Sequence, residues 1–562
     1  MMDCVSYRRA RGICKSESSC LMGKLGAEMK VLDRARKVKS QFSFRFLHLR
    51  LRESEDGKTI IAKGKLKIFG MSPWELSDLV FFVGDMQCDT VVSRMRKRRL
   101  GSDCIVRLMM DKNQIFALPI HNVLIIRYLD ADKQEIRAGV MFDERIPLYL
   151  AKRTRFILDE ELGLVAFFRQ NAGKGTTFTV RHANATDSFG KQLKLFAAWM
   201  LSKMAFWVDP VLIYEKNCHH YEESGSVLYE SLIDRGYIKI NFVLDREIAC
   251  RGDIAEKYRR GIVYQHSFKH YLLFFRCRRF LGTESMAHAL ELRCQNIFVQ
   301  RKLKRKDNRF VFLQHGVMYM VSLDSPQRSS FKRKAVKGDY YVVASSELEA
   351  SHFVDLAGFE RDEIIVSGLP KFDRSFLNPG ANKILIMPTW RIWEFNEMRQ
   401  DPQKTAYVRM INRIIAAIPK ELREHVVVAN HPLFSAGVFE ASPNDTGVSY
   451  DELLRDVSLL ITDYSSIAFD AFYRGANVIF YWEEMEECMR QYGGDTHLML
   501  SEESAFGPCC YRPDELRGAV ESLYGSRQRE IYLRRFGRIV EHHDGKNADR
   551  LIAELRRLDF IG

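Results

Sequence analysis

None of the apolar stretches in this chain runs to eighteen residues. The best, Leu195 to Tyr214, is broken by Lys203 and Asp209, so a membrane-spanning helix is not expected. The segment Met1 to Gln41 is rich in Lys and Arg but holds no apolar core ahead of a cleavage-like site, and no secretory signal is expected either. The twelve cysteines include no C-x-x-C and no regular spacing, only the adjacent Cys509-Cys510. A disulfide framework does not fit such scatter, and a reducing cytoplasm does. No His/Cys cluster has metal-ligand spacing, so no protein-held metal is expected. Zinc-finger, recognition-helix and aromatic-basic single-strand signatures are also missing, and nucleic acid is not expected as a partner.

What is present describes a folded chain of several domains. A length of 562 residues exceeds what one hydrophobic core usually supports, and 46% apolar with 28% charged residues is ordinary for a globular protein. The excess of 86 Lys+Arg over 72 Asp+Glu gives a net charge of +14, which calls for an anionic partner such as acidic headgroups or phosphorylated substrates. Residues 1–40 read as a basic, flexible arm. Residues 41–185 alternate apolar and polar in short runs such as Phe42-Ser43-Phe44-Arg45-Phe46 and Thr59 to Ile68, the pattern of a mostly antiparallel β domain. From 186 the pattern becomes strand, helix, strand, with Val211 to Tyr214, Ile238 to Leu244, Gly261 to Tyr264, Arg279 to Leu281, Phe310 to Leu313 and Tyr340 to Val343 as strands. It restarts at Lys383 to Met387 and continues through Val426 to Val428, Leu459 to Ile461 and Val478 to Phe480. Two such units, 186–375 and 376–562, predict a pair of Rossmann-like domains of the GT-B kind, with ligands at the strands' carboxyl ends.

Six short sequences fall at those ends. His315-Gly316 follows a strand; a histidine beside a glycine can approach a substrate closely and act as a base, or can simply be satisfied in a loop. Lys371 follows a Gly-Leu-Pro turn and can offer a charge to a phosphate. Thr389-Trp390-Arg391 provides hydroxyl, indole and guanidinium groups for a phosphate or a base, against the alternative of a structural Trp and a surface Arg. Asn430-His431 supplies a second histidine on the same side. Asp463-Tyr464-Ser465-Ser466 leads from a strand into a helix, where amides, hydroxyls and the helix dipole make a phosphate site, unless Ser465 is only an N-cap. Arg550 falls in the first turns of the last helix.

Taken in this order, the six segments resemble the CDP-glycerol glycerophosphotransferase family of teichoic acid synthesis, over roughly residues 205–555. The resemblance implies transfer of glycerol phosphate or ribitol phosphate from CDP-glycerol or CDP-ribitol to a lipid-linked polyol-phosphate acceptor, with release of CMP, at the inner face of the cell membrane. It implies a CDP-polyol site in 376–562 and an acceptor and membrane side in 186–375. It places donor contacts at His315, Gly316, Val317, Met318, Tyr319, Lys371, Thr389, Trp390, Arg391, Asn430, His431, Ser465, Ser466, Asp470 and Arg550. His315 is then the general base, and His431, Arg391, Lys371, Arg550 and the serine helix start neutralise the pyrophosphate. Any Mg²⁺ would be free ion carried on the donor. Lys371 stands where the family usually has Arg, which keeps the charge without the bidentate fork. A nucleotide-sugar glycosyltransferase of GT-B type is the alternative enzyme. The stretch Lys191 to Trp207 has the composition of an interfacial helix for an anionic membrane surface, or of a core helix, and Phe268 to Phe280 shares the ambiguity.

Overall fold

The computed structural model describes residues 43–69, 79–99, 101–129, 135–142, 156–171, 175–204, 209–251, 254–394, 397–398, 401–429 and 449–562. The arm expected at 1–40 lies outside them, and so do Asn430 and His431. The chain forms two compact units, Met1–Asp187 and Ser188–Gly562.

The first unit is a ten-stranded sheet of β1 (Ser43–Glu53), β2 (Thr59–Phe69), β3 (Val80–Val83), β4 (Met86–Arg98), β5 (Gly101–Asp111), β6 (His121–Leu129), β7 (Glu135–Phe142), β8 (Ile157–Asp159), β9 (Leu164–Gln170) and β10 (Thr176–His182). Its strand order is β3-β4-β5-β2-β1-β7-β6-β10-β9-β8, and a further pairing of β3 with β6 closes seven strands into a barrel. Alternation decides what fills it. Along β2 every second residue, Ile60, Ala62, Leu66 and Ile68 among them, is buried, because successive side chains of a strand point to opposite faces.

The second unit is α/β. Its first sheet contains β11 (Val211–Tyr214), β12 (Ile240–Leu244), β13 (Ile262–Tyr264), β14 (Arg279–Gly282), β15 (Arg309–Phe312), β16 (Asp339–Ala344) and β17 (Ile364–Val366), all parallel, in the order β13-β12-β11-β14-β15-β16-β17. The second contains β18 (Lys383–Ile386), β19 (Val426–Val428), β20 (Val457–Thr462), β21 (Asn477–Tyr481) and β22 (Cys509–Cys510), again parallel, in the order β19-β18-β20-β21-β22. Strands such as Val-Leu-Ile-Tyr and Val-Val-Val are apolar at every position, as strands covered on both faces must be.

The helices that bear on function are α1 (Phe189–Ser202), α2 (Ser224–Asp234), α3 (Phe268–Arg276), α4 (Glu347–Ala357), α5 (Ala406–Ala417), α6 (Ile467–Arg474) and α7 (Asn547–Arg557). No helix among the described residues is long and apolar enough to cross a membrane. In α1, Leu195 and Ala198 are buried and Trp199 stacks on Phe298 with ring centroids 4.6 Å apart. Phe189, Leu193, Met200 and Leu201 are exposed on the same helix, which thus packs on one side and presents an apolar strip on the other. Helix α3 buries His270, Tyr271, Phe274 and Phe275 and is mainly a core helix.

Candidate active site

Each parallel sheet of the second unit reverses its strand order once, and at such a point neighbouring loops diverge and leave a crevice outside the carboxyl ends. In the five-stranded sheet the reversal lies between β18 and β20. Strand β18 runs into Met387-Pro388-Thr389-Trp390-Arg391, and β20 into Asp463-Tyr464-Ser465-Ser466 at the start of α6. The N-cap of α6 is Ser466, whose side chain makes no capping bond, while Ser465 Oγ accepts a long one, 3.5 Å, from the amide of Ile467. Both serines are half-buried. Their hydroxyls are thus spare beside a positive helix end, which is what an anion requires.

Asp463 organises this crevice. It is 1% exposed; Oδ1 accepts the amides of Thr389 at 2.7 Å and Tyr464 at 2.5 Å, and Oδ2 holds Arg391 Nη1 at 2.8 Å. Its carbonyl accepts the indole N–H of Trp482 at 3.1 Å. The expectation for Arg391 is corrected here. Its side chain is 2% exposed, paired with Asp463 and laid over the Tyr464 ring, and it also donates to the Thr389 carbonyl at 2.7 Å. A guanidinium so committed braces the two loops from behind and does not face a pyrophosphate. Thr389 keeps a buried hydroxyl without a partner, and Trp390 is half-buried beside it.

In the seven-stranded sheet the reversal lies between β11 and β14. Next to β14, strand β15 runs into Gln314-His315-Gly316. Gln314 is buried in the left-handed region at φ 58° and donates to the Val343 carbonyl. That conformation costs a non-glycine residue about 1–3 kcal/mol, and such strain gathers where a neighbouring side chain must be aimed. His315 follows. Its Nδ1 lies 3.3 Å from the Thr283 carbonyl, which can only accept, so Nδ1 carries the proton and Nε2 the free lone pair. The ring is densely surrounded by protein although 39% of its side-chain surface is open. This loss of water lowers its pKa, against the Glu223 carboxylate, with the Lys371 ammonium lowering it further. A neutral imidazole with one free nitrogen has what a general base requires.

Val317, Met318 and Tyr319 are 0%, 7% and 8% exposed and belong to the core. They correct a second expectation: their side chains anchor the loop and leave only its backbone for a ligand. The amide of Met318 donates at 2.7 Å to Glu349, a fully buried carboxylate on α4 that also receives the amide and hydroxyl of Ser345 at 2.6 and 2.7 Å. Glu349 is legible as the last residue of Ser346-x-x-Glu349, a helix-start signature. Its side chain instead holds the His-Gly loop.

The two crevices meet at Gly316. A Cβ built there would lie 3.0 Å from Ser466 Oγ and 3.9 Å from Asp470 Oδ2, so glycine is what lets the base loop touch the helix start. Lys371 bridges the same junction: Nζ lies 2.5 Å from Asp470 Oδ1 and donates to the His315 carbonyl at 2.8 Å. Lys371 and Asp470 therefore answer each other, and the ammonium carries a counter-ion before any phosphate arrives. Asp373, two residues on, accepts the amides of Asn547 and Ala548 at 2.9 and 2.8 Å and so caps α7. Arg550 on that helix pairs with Asp544 and donates to Asn547 Oδ1 at 3.2 Å. Phe372, Tyr473 and His543 stack at 4.3 and 4.8 Å beside it.

A family profile matches residues 198–556, and the chain belongs to that family, CDP-Glycerol:Poly(glycerophosphate) glycerophosphotransferase. Among curated proteins it resembles the minor teichoic acid biosynthesis protein GgaB of Bacillus subtilis (strain 168), at 25% identity over 384 residues, 62% of this chain and 40% of that protein. The chain thus spans two fifths of the length of that relative. Among solved structures it is similar to the wall teichoic acid polymerase TagF, at 16% identity and a TM-score of 0.47 over 66% of this chain and 94% of that one. A histidine variant of TagF soaked with CDPG gives 15%, 0.46, 67% and 99% in the same order.

Proposed function

We propose that this chain transfers a glycerol-phosphate or ribitol-phosphate unit from its CDP ester to a hydroxyl of a lipid-linked acceptor or growing teichoic-acid-like polymer, releasing CMP. The observation that carries this reading is the contact of the His315-Gly316 turn with the Ser465-Ser466 helix start, and in this reading the first supplies the base and the second the anion site. The family supports the donor. The two parallel sheets with crevices on facing loops support a GT-B-like arrangement, 186–375 taking the acceptor and 376–562 the CDP-polyol.

In this mechanism His315 Nε2 takes the acceptor's hydroxyl proton as that oxygen bonds to the phosphorus nearest the polyol. The bond from that phosphorus to the bridging oxygen breaks, and CMP leaves with the electron pair. The α6 amides, the two serine hydroxyls and Thr389 Oγ1 stabilise the charge that develops. Lys371 holds His315 and Asp470 in place, and the family resemblance assigns Arg550 and His431, the latter outside the described residues, to the pyrophosphate. The mechanism proposed here uses no protein-held metal, and any Mg²⁺ would come with the donor. The exposed apolar strip of α1, with Phe189 85% and Leu193 58% exposed and Lys194 alongside, supports an attachment to an anionic inner membrane face.

Purified protein given CDP-glycerol, CDP-ribitol or UDP-sugars with an acceptor tests the reading. CMP release from a CDP-polyol supports it; UDP release alone would make the chain a glycosyltransferase.

A further inference from the structure

The second crevice, at the β11/β14 reversal, holds polar groups that the donor chemistry leaves unused. Glu223 occupies the N-cap position of α2, yet its side chain makes no capping bond. The neighbouring Glu215, at the end of β11, has taken that work. Fully buried, it accepts the amides of Glu222 at 2.9 Å, Glu223 at 3.0 Å and Ser226 at 2.7 Å. Glu223 is left with a buried Oε2 that has no partner. Across the reversal, at the end of β14, Thr283 is 0% exposed and its Oγ1 also has none. Buried polar atoms without partners cost free energy that folding alone does not return, and these two sit on the loops that flank one crevice.

Both groups belong to the surroundings of His315. The Thr283 carbonyl holds His315 Nδ1. Ser224, next to Glu223, accepts the Lys371 amide at 3.4 Å, and Lys371 Nζ reaches the His315 carbonyl. The Glu223 carboxylate acts on the His315 ring as the chief influence opposing its loss of basicity. A carboxylate can accept a hydroxyl hydrogen and repels a phosphate, whereas a threonine hydroxyl can accept or donate.

We propose that Glu223 and Thr283 form the subsite for the acceptor's terminal polyol, Glu223 accepting a hydrogen bond from a hydroxyl next to the attacking one and turning away ends capped by phosphate. The assignment rests on the transfer reading above and deepens it: the donor crevice binds anions, and the facing crevice selects a neutral, hydroxylated end.

The test uses the whole chain, CDP-glycerol, and short glycerol-phosphate oligomers ending either in free glycerol or in a phosphomonoester. Glu223→Gln keeps the shape and removes the charge. The KM for the hydroxyl-ended oligomer should rise about tenfold, and the Kd for CDP-glycerol should stay within about twofold. The phosphate-ended oligomer, a weak competitor for the parent, should inhibit Glu223→Gln about fivefold or more better as the repulsion is lost. Thr283→Val should raise the acceptor KM alone. An active parent whose Glu223→Gln form shows the same acceptor KM and the same inhibition overturns the subsite. A parent that releases no CMP with any acceptor overturns the transfer reading itself.

Discussion

The proposed mechanism rests on His315, and the protonation state of that ring sets the direction of its pH dependence. Burial lowers its pKa from the ordinary histidine value, so the imidazole is neutral over a wider range than a free one, and protonation silences it as pH falls. The acceptor kcat/KM should therefore rise with pH along a limb whose midpoint lies below about 6.5, and then level off. A midpoint above 7 would mean that another group is titrating. The serines belong to the same scale. Replacing Ser465 and Ser466 together with Ala removes two hydroxyls and leaves the α6 amides, so CDP-glycerol affinity measured by calorimetry should weaken by about 1–3 kcal/mol without vanishing. Unchanged affinity would show that the phosphate binds elsewhere. The residue types at both places are visible in the sequence because each follows an apolar strand. Glu223 and Thr283 are not: their meaning depends on partners they lack, and absence of a partner has no sequence pattern.

Among the elements, the strands of the second unit are legible because they are short, apolar throughout and spaced by helical stretches. Strand β11 matches its expected Val211 to Tyr214, and β19 its Val426 to Val428. Two escape notice. Strand β17 has three residues and β22 only two, too few for a period, and each is stabilised by a neighbour already in place. Helix α6 begins at Ile467, because Ser465 and Ser466 form the turn that leads into it, their carbonyls accepting the amides of Ala468 and Phe469. What the sequence does not convey is pairing at a distance. Arg391 looks like a phosphate ligand until Asp463, 72 positions away, is seen to hold it. That pair predicts its own test. Asp463→Asn leaves the buried guanidinium only the Glu484 carboxylate, 3.7 Å from Nη2, as counter-charge and should cost about 3 kcal/mol of unfolding free energy, read by urea titration, with the Thr389 loop loosened and donor affinity reduced in step. A variant as stable as the parent would return Arg391 to the candidate ligands.

At the scale of the whole molecule, two buried histidines predict a sensitivity to acid in the second unit that the composition alone does not reveal. His352 is 3% exposed, and burial lowers its pKa to about 4. His270, fully buried between the His266 amide and the Ala289 carbonyl, is lowered to about 3 for the same reason. A histidine whose folded pKa lies below its unfolded value contributes stability that is present in full above the unfolded value and is lost as pH falls toward the folded one. The window for His352 runs from about 6.5 down to 4, and over it the parent should lose about 3 kcal/mol relative to His352→Phe, which has no proton to gain. Denaturant titrations of the two proteins at pH 7 and pH 4 measure the difference; parallel behaviour would mean that the fold does not lower the pKa of this ring.

The central claim joins a base on one sheet to an anion site on the other, and CMP release by the parent and by His315→Ala measures it most directly. With CDP-glycerol and a hydroxyl-ended acceptor, the parent should release one CMP for each glycerol phosphate incorporated. The variant, still folded and still binding the donor, should be slower by ~10²–10⁴. A folded variant that keeps more than about half the parent rate, or a parent that leaves CDP-glycerol intact, would contradict the account.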